Sequence, residues 1–406
     1  MKIKFRIFLI LPLMFLLSAV LDAADFSLIT NQYAEAGNQD TGESKFNEYR
    51  MDILPSFSFL FGDMGDFTLS AKISFGQLDE FFWTPELQRT EFSWRWGSMG
   101  FRAGRMNYAD PLGFIAAGLF DGVQFEYNSR AGIFSAGVWY TGLLYKKTAY
   151  IIMKPEEQTA FNVPVDLADL DTYFASRRLL ASLDWEHLSV AQLLHLNAAI
   201  TAQVDLSDSE EKYNSQYVTL KAIIPIKSFT FELGGSFETT ETEKENVTVG
   251  FAGDLGIFWK LPSGFNSRLS LTGSFSSGET RSIMKNFVPL TNKFYGDILK
   301  LKFMGVTILG MSYSALFVPS FGIAFNASHF VRNDLVTYTG YPLNPEKKDT
   351  YGIFLGTEFF AQLVWSPFSD LQINLEGGIF FPSLGNAAPD EKPRWRADLL
   401  AVLALY

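Results

Sequence analysis

Short turns and longer polar links alternate along this chain of 406 residues. The short turns are rich in Gly, Pro, Asn and Ser, which favour tight reversals of the backbone. They cover residues 62–66, 97–100, 128–132, 186–188, 227–228, 262–264, 319–320 and 366–370. The longer links cover residues 37–45, 78–87, 108–117, 144–172, 206–212, 240–246, 278–298, 333–349 and 383–393. Eight turns and nine links separate eighteen segments, and both chain ends fall on the short-turn side.

The segments between these connections alternate apolar and polar side chains. In 194–206 the apolar set is Leu194, Leu196, Ala198, Ile200, Ala202, Val204 and Leu206, and polar residues such as His195 and Asn197 lie between them. A period of two with one apolar face indicates a β-strand that is apolar on one side and polar on the other. The stretch 350–382 is typical of two such strands joined by the turn at 366–370.

This organisation predicts an all-β fold, a single transmembrane antiparallel β-barrel of about 18 strands. An even number of long strands, with short turns at one end and long loops at the other, is typical of outer-membrane barrels. A soluble β-sandwich would show the same alternation of side chains, but it has no reason to alternate its connections so regularly. Abundant aromatic residues, led by 40 Phe, suit the aromatic girdles of a barrel in lipid.

The composition excludes several kinds of site. The chain has no cysteine, so disulfides, thiolate metal sites and a lipid-modified cysteine are impossible. Its formal net charge of −11 argues against nucleic acid as a partner. No metal-ligand spacing and no phosphate-cradling glycine loop stands out, so we predict no cofactor and no metal.

The two ends of the chain predict export and membrane insertion. Lys2, Lys4 and Arg6 precede an apolar run and a small residue at Ala23, which indicates a cleaved signal peptide over 1–23 and a mature barrel over 24–406. An uncleaved anchor helix is the alternative, but the apolar run is shorter than the ~20 residues that a membrane span needs. The last segment ends in Tyr406, and a final strand with an aromatic terminal residue resembles the signal that barrel-insertion machinery recognises. Membrane lipid and that machinery are the partners this predicts.

Charged residues on the polar face of the strands are candidates for lining a pore. Parity along each strand directs the following side chains inward: Arg50, Arg89, Glu91, Arg95, Arg102, Glu126, Asp184, Asp205, Glu232, Glu238, Asp254, Glu358 and Glu376. Arg105 joins them only if a bulge near Gly104 shifts the register. A basic wall on the early strands facing an acidic wall would create a transverse field that shapes ion preference. The alternative is that these charges pair with one another and solvate the lumen.

The longest links, 144–172 and 278–298, could fold into or over the lumen as a constriction, or remain surface loops.

Catalytic signals are weak. His187 is expected in a short turn, His195 in the lumen and His329 toward lipid, and no nucleophile elbow or paired-histidine motif accompanies them. We therefore predict that the protein is not an enzyme.

Short motifs resemble the alginate-export family of outer-membrane barrels. They are Gly104-Arg105, the segment Phe120-Asp121-Gly122-Val123, and the hairpin that runs from Gly356 to Pro382. The resemblance implies eighteen strands and diffusive passage of a solute or saccharide through the outer membrane of a diderm bacterium. A porin-like channel for small hydrophilic solutes is the accompanying prediction. A surface-exposed adhesive barrel and a fatty-acid-type transporter of hydrophobic compounds are the alternatives.

Overall fold

The strands of the chain form one closed antiparallel barrel. The computed structural model describes residues 24–38, 45–62, 64–77, 81–242, 247–279, 284–291, 294–334 and 352–405, with the side chains of 45 and 46 left aside. The predicted signal peptide and Tyr406 lie outside these residues. The barrel strands are β1 (Ala24–Gly37), β2 (Lys45–Phe61), β3 (Gly65–Gln77), β4 (Phe81–Trp96), β5 (Met99–Ala109), β6 (Ala117–Ser129), β7 (Gly132–Tyr140), β8 (Arg178–Val190), β9 (Leu194–Asp205), β10 (Tyr213–Ile226), β11 (Phe229–Thr242), β12 (Thr248–Lys260), β13 (Arg268–Ser276), β16 (Val306–Val318), β17 (Phe321–Arg332), β18 (Phe354–Phe368), β19 (Leu371–Phe381) and β20 (Arg394–Leu405).

Pairing between the first and last strands closes the sheet. Leu28 pairs with Leu405 at one end of this ladder, and Gly37 pairs with Arg396 at the other. Every other barrel strand pairs with its neighbours in chain order, which gives an 18-stranded sheet without a free edge strand. The predicted barrel of about 18 strands is confirmed.

Alternating side chains give the wall an apolar outer surface. One continuous row crosses β8 to β12, where Leu183 pairs with Ile200, Ile200 with Val218, Val218 with Phe237 and Phe237 with Phe251. All five side chains are exposed. A band of exposed apolar residues around a closed sheet matches the outward surface that faces hydrocarbon in a transmembrane barrel.

Two of the predicted connections are displaced in the structure. Residues 186–188, predicted as a short turn, lie inside β8, and the chain reverses instead at Ala191 and Gln192, with φ of 51° and 61°. Neither residue is a turn former, so the sequence carries no signal for this reversal. The predicted link 78–87 ends early because β4 begins at Phe81, where Trp83 pairs with Phe75 of β3. Thr84 and Glu86 of this strand are buried and alternate with exposed apolar residues, and in the sequence such polar residues resemble a loop.

Long connections fold into the barrel rather than away from it. The helix Pro155–Asn162, the short helix Lys146–Ala149 and a small hairpin of β14 (Phe294–Tyr295) and β15 (Leu301–Lys302) belong to them. Their apolar side chains form a buried core with inward-facing wall residues. In it the rings of Phe114 and Phe303 lie 4.6 Å apart. No helix among the described residues is long and apolar enough to cross a bilayer.

Candidate luminal site

Two arginines share one buried carboxylate on the inner wall. Arg89 Nη2 lies 2.6 Å from Glu91 Oε2, and Arg102 Nε lies 2.6 Å from Glu91 Oε1. Arg102 Nη1 also donates to Gln124 Oε1 at 3.1 Å. Glu91 is buried, whereas the side chains of Arg89 and Arg102 are 40% and 34% exposed. The carboxylate thus fixes two guanidinium groups that both present a face to the interior.

A second pairing occurs on β2. Arg50 donates to Glu48 Oε1 at 2.9 Å and to Asp52 Oδ2 at 3.3 Å, and it lies over the ring of Tyr33. Arg95 is exposed at the short-turn end of β4. Three of the four predicted arginines on this wall are therefore paired with carboxylates, Arg50 with Glu48 and Asp52, and Arg89 and Arg102 with Glu91. Local pairing of this kind weakens the expected transverse field, because most of each charge is compensated nearby.

Five of the predicted acidic residues lie on the wall, and four of them have the following polar partners. Asp184 accepts from Ser182 at 2.9 Å, Glu126 accepts from Asn128 at 3.2 Å, and Glu376 accepts from Gln362 at 2.6 Å. Glu232 lies 3.5 Å from the Lys221 ammonium. Asp254 is half-buried on β12.

A polar pocket of about 260 Å³ lies against this wall. Its lining includes Arg102, Tyr108, Gln124, Asp184, Glu186 and Asn197. Guanidinium, amide, carboxylate and phenol groups together offer both donors and acceptors to a bound molecule. A small polyhydroxylated solute could satisfy hydrogen bonds on several sides of this pocket.

Three other predicted acidic residues hold the internal loops in place. Glu358 accepts from the backbone N–H groups of Asp297, Ile298 and Leu299 at 2.6, 3.0 and 3.1 Å. Glu238 accepts from the Val288 N–H at 2.7 Å. These carboxylates are buried. They supply acceptors to the loop amides, three of which belong to the buried residues Val288, Ile298 and Leu299, and buried backbone requires such partners.

The third anchor is an ion cluster around Asp205. Lys154 Nζ lies 2.6 Å from Asp205 Oδ2, and Arg178 Nη2 lies 3.7 Å from the same oxygen. Arg178 Nη2 also lies 2.5 Å from Glu157 Oε1 on the helix Pro155–Asn162. This cluster ties that helix to β8 and β9. Sequence reasoning missed Lys154, Glu157 and Arg178 as a unit, although Arg178 has the same parity as the predicted Asp184.

Lys146 links the two helical segments of the same connection. Its ammonium donates to the carbonyl oxygens of Ala160 and Val163 at 2.9 and 2.8 Å. These carbonyls belong to the C-terminal end of the helix, where a cation is favourable. Burial lowers the pKa of Lys146.

A further cluster missed from the sequence lies where β20 closes on β1. Arg396 Nη2 is 2.5 Å from Asp398 Oδ2, and Arg396 Nε is 3.1 Å from Glu35 Oε2. Arg396 Nη1 donates to the carbonyl oxygen of Asp297 at 2.7 Å, so this cluster also holds an internal loop. Its members stand at opposite ends of the sequence.

Arg105 lies in the wall between β4 and β5. Gly104 has φ of 111°, and the Arg105 backbone pairs with Thr90 and Asp121. Its guanidinium meets the Asp121 carboxylate through two contacts of 2.8 Å and is 6% exposed. The strand pairing places Arg105 opposite Thr90, which alternates with the inward-facing Glu91. Arg105 therefore has the outward parity of its strand, but its guanidinium is buried in the wall, where it donates to the carbonyl oxygens of Leu87 and Leu143, and it does not line the luminal pocket.

The three histidines have structural partners. His195 Nε2 lies 2.8 Å from Glu186 Oε1 and 3.1 Å from Asn197 Oδ1. His329 Nδ1 lies 2.9 Å from Thr357 Oγ1. His187 falls within β8 and not in a turn.

A closed wall of eighteen strands, apolar outside and charged within, defines the architecture of an eighteen-stranded porin-type barrel. Solved structures of Pseudomonas aeruginosa proteins share it. OpdQ matches with a TM-score of 0.61 at 12% identity, over 94% of this chain and 98% of that chain. OccK2 (OpdF), solved in complex with glucuronate, matches with 0.60 at 13% identity, over 95% and 98%. The outer membrane protein OprD matches with 0.58 at 14% identity, over 94% of each chain.

These similarities concern the fold, because the identities are low. No family model matches the sequence, and no curated protein matches it.

Proposed function

We propose that the protein is a passive outer-membrane channel for small hydrophilic solutes or saccharides in a diderm bacterium. One observation carries the proposal: a closed barrel with an apolar exterior holds a polar pocket of about 260 Å³ on its inner wall. Loops that fold inside narrow the space around that pocket. Such an arrangement admits solutes by size and polarity, and their own gradient supplies the driving force.

The pocket favours a monosaccharide-sized molecule over a polymer. Arg102 is the cation of its lining, and Asp184 and Glu186 are anionic, so neither sign dominates. A polyanionic polysaccharide would need a strongly basic path, whereas the arginines here are paired with carboxylates. The fold relative OccK2 was solved with glucuronate, and the Arg102 guanidinium could receive a sugar carboxylate in the same chemical manner. Alginate export thus remains a weaker proposal than diffusion of small solutes.

The membrane partners follow from the same reading. The exposed apolar row on β8 to β12 would contact lipid. The C-terminal strand β20 would be the element that barrel-insertion machinery recognises, together with Tyr406. Its last described residue, Leu405, pairs with Leu28 of β1.

Ion selectivity tests whether the arginine wall borders the path. In planar bilayers, the triple variant Arg89→Gln, Arg95→Gln and Arg102→Gln should shift the reversal potential in a salt gradient toward cation preference. Arg130→Gln changes one exposed arginine in a short turn and should leave the reversal potential near that of the wild type. Unchanged selectivity in the triple variant would remove these arginines from the conduction path. A wild-type protein that never conducts would reject the channel itself.

The alternatives would be recognised by different behaviour. An adhesive barrel would seal membranes and bind cells or matrix through its loops. A fatty-acid-type transporter would admit hydrophobic compounds in preference to sugars. We propose no catalytic role, since the hydrogen-bond partners of His195 are a carboxylate and an amide and not the hydroxyl of a serine or threonine.

A further inference from the structure

Two carboxylates and one guanidinium line the luminal pocket of about 260 Å³. Asp184 and Glu186 stand two residues apart on β8, so both side chains lie on the luminal face of that strand. Arg102 of β5 supplies the cation. Asp184 is half-buried, and the side chains of Glu186 and Arg102 are 40% and 34% exposed. All three charged groups are therefore open to a solute in the pocket.

The charge of Arg102 is already engaged by the wall. Its Nε lies 2.6 Å from Glu91 Oε1, and its Nη1 donates to Gln124 Oε1 at 3.1 Å. Arg89 lies 2.6 Å from the other oxygen of the same carboxylate. The two arginines and Glu91 together keep one positive charge, spread over two guanidinium groups of which only that of Arg102 lines the pocket. A solute carboxylate would have to compete with Glu91 for Arg102.

The carboxylates of β8 are less compensated. Asp184 accepts from the Ser182 hydroxyl at 2.9 Å, and the Tyr108 hydroxyl lies 3.5 Å from its other oxygen. Neither partner is a cation, and within the described ranges Asp184 forms no salt bridge. Glu186 lies 2.8 Å from His195 Nε2, and an imidazole compensates a carboxylate only when it is protonated. The pocket consequently presents more negative than positive charge.

Charges just beyond the lining offset one another. Lys221 of β10 pairs with Asn197 of the lining, but its ammonium lies 3.5 Å from Glu232. Glu126 of β6 and Arg95 of β4 stand on one row, with Gly100 of β5 between them. The negative charge that a solute meets in the pocket is therefore that of the two carboxylates on β8.

The uncharged groups of the lining suit a sugar ring. Gln124, Ser135 and Asn197 offer amide and hydroxyl groups, which both donate to and accept from sugar hydroxyls. Pro111 and Ile133 add apolar surface, which suits the C–H face of a pyranose. A pocket of this kind, mostly shape and a few placed polar groups, is typical of small-molecule sites.

We propose that the pocket binds an amino sugar, a monosaccharide whose primary ammonium lies between the Asp184 and Glu186 carboxylates and whose hydroxyls bind the surrounding amides. Positions two residues apart on a strand are roughly 7 Å apart, so one ammonium reaches both carboxylates. It gains charge-assisted hydrogen bonds there. A uronate meets the same two anions as repulsion, while Arg102 is held by Glu91. Resting on the channel function proposed above, this names the class of its solute.

Block of the ion current by related hexoses tests the proposal. In planar bilayers at low ionic strength, the half-blocking concentration of glucosamine should be at least about tenfold lower than those of glucose and glucuronate, which is the effect of one hydrogen bond to a charged group. N-acetylglucosamine keeps the ring but lacks the ammonium, so it should block like glucose. Saturation-transfer NMR on the protein in detergent micelles orders the same four sugars without requiring conduction.

Variants separate the pocket from the lumen as a whole. Asp184→Asn should raise the half-blocking concentration of glucosamine about tenfold and change that of glucose little. Glu186→Gln should act in the same direction. Arg102→Gln should not weaken glucosamine block, whereas it would weaken block at a uronate site. The matched control is Glu376→Gln on β19, at the opposite side of the barrel, which removes a luminal carboxylate outside the pocket and should leave glucosamine block near that of the wild type.

The proposal is overturned if glucosamine and N-acetylglucosamine block equally, or if glucuronate blocks best. It is also overturned if Asp184→Asn and Glu186→Gln both leave glucosamine block unchanged, or if Glu376→Gln weakens it as much as they do. Heat-modified mobility on gels checks that each variant is folded, and Glu186→Gln retains the test if Asp184→Asn is not. A wild type that never conducts rejects the channel, and the NMR order then decides the pocket. A conducting protein without preference for glucosamine rejects only the amino sugar.

Discussion

Removing the Glu358 carboxylate should release an internal loop and open the lumen. Three backbone N–H groups of residues 297–299 donate to this buried carboxylate at 2.6 to 3.1 Å. A hydrogen bond to a charged group contributes about 1.5–3 kcal/mol, so the three together give an upper range of about 4–9 kcal/mol for docking of the loop. In Glu358→Ala, water can bind the freed N–H groups and recover part of this docking free energy. We therefore expect a loss near the low end of the range, about 4 kcal/mol.

A loss of about 4 kcal/mol changes the ratio of docked to undocked loop by roughly a thousandfold. In planar bilayers, Glu358→Ala should therefore spend a much larger fraction of time in a high-conductance level than the wild type. Glu358→Gln keeps one acceptor oxygen, so the fraction of time that it spends in the high-conductance level should lie between those of the wild type and Glu358→Ala. The matched control is Glu376→Ala on β19, whose carboxylate accepts from the Gln362 side chain.

The outcome that would refute this reasoning is specific. If Glu358→Ala inserts and folds normally but its current levels and dwell times equal those of Glu376→Ala, the carboxylate does not hold a constricting loop. The assignment of buried acidic residues as loop anchors would then have to be abandoned.

Three further changes test other parts of the structure. Arg178→Met leaves Glu157 buried without its cation and should lower the free energy of unfolding by about 3–5 kcal/mol, measured by urea unfolding in vesicles. The double variant Arg178→Met, Glu157→Met should recover much of this lost stability. Equal losses in the single and the double variant would contradict the ion cluster. Because burial lowers the pKa of Lys146, the docked segment binds fewer protons than the free one, so its docking should strengthen as pH rises from 7 toward the ordinary lysine pKa of about 10.4. Amide exchange of residues 143–150, corrected for intrinsic rates, should show this trend in the wild type and lose it in Lys146→Gln, and a flat wild-type profile would oppose it. Leu233→Arg on the outer face should lower the free energy of unfolding in a bilayer by about 2–4 kcal/mol, and Thr272→Arg on the luminal face should lower it much less. Equal losses would contradict the assignment of the two faces.

The wall of this fold could be predicted from local sequence, because strand periodicity and turn residues are short-range signals. The alternation from Leu194 to Leu206 predicts β9 almost to the residue. The reversal at Ala191 and Gln192 could not be found in this way, since ordinary residues adopt left-handed backbone there under the constraint of the two flanking strands.

The interior was less accessible to sequence reasoning. Parity correctly directs Arg89, Glu91 and Arg102 toward a common face, and their contacts follow from the pairing of β4 and β5. By contrast, Glu358 lies about sixty residues from the amides it binds, and nothing local indicates that partnership. Loop docking depends on three-dimensional closure of the barrel, which brings such groups together only after the wall has formed.

Arg105 shows how a residue can keep the outward parity of its strand and still be buried in the wall. Gly104 has a positive φ that L-residues rarely adopt, and the next residue, Arg105, reaches the free carbonyl of Leu87 instead of the lumen. The sequence indicated that a register change at Gly104 would decide the place of Arg105. It could not indicate that the ladder with β4 ends there.

Liposome swelling with sugars of graded size tests the central claim most directly. The account describes a closed cylinder with a hydrated, loop-narrowed interior, so proteoliposomes should swell quickly with a pentose or hexose, slowly with a disaccharide and very little with larger oligosaccharides. Swelling that stays at the level of protein-free liposomes for every sugar, from a preparation shown to be folded and inserted, would contradict it.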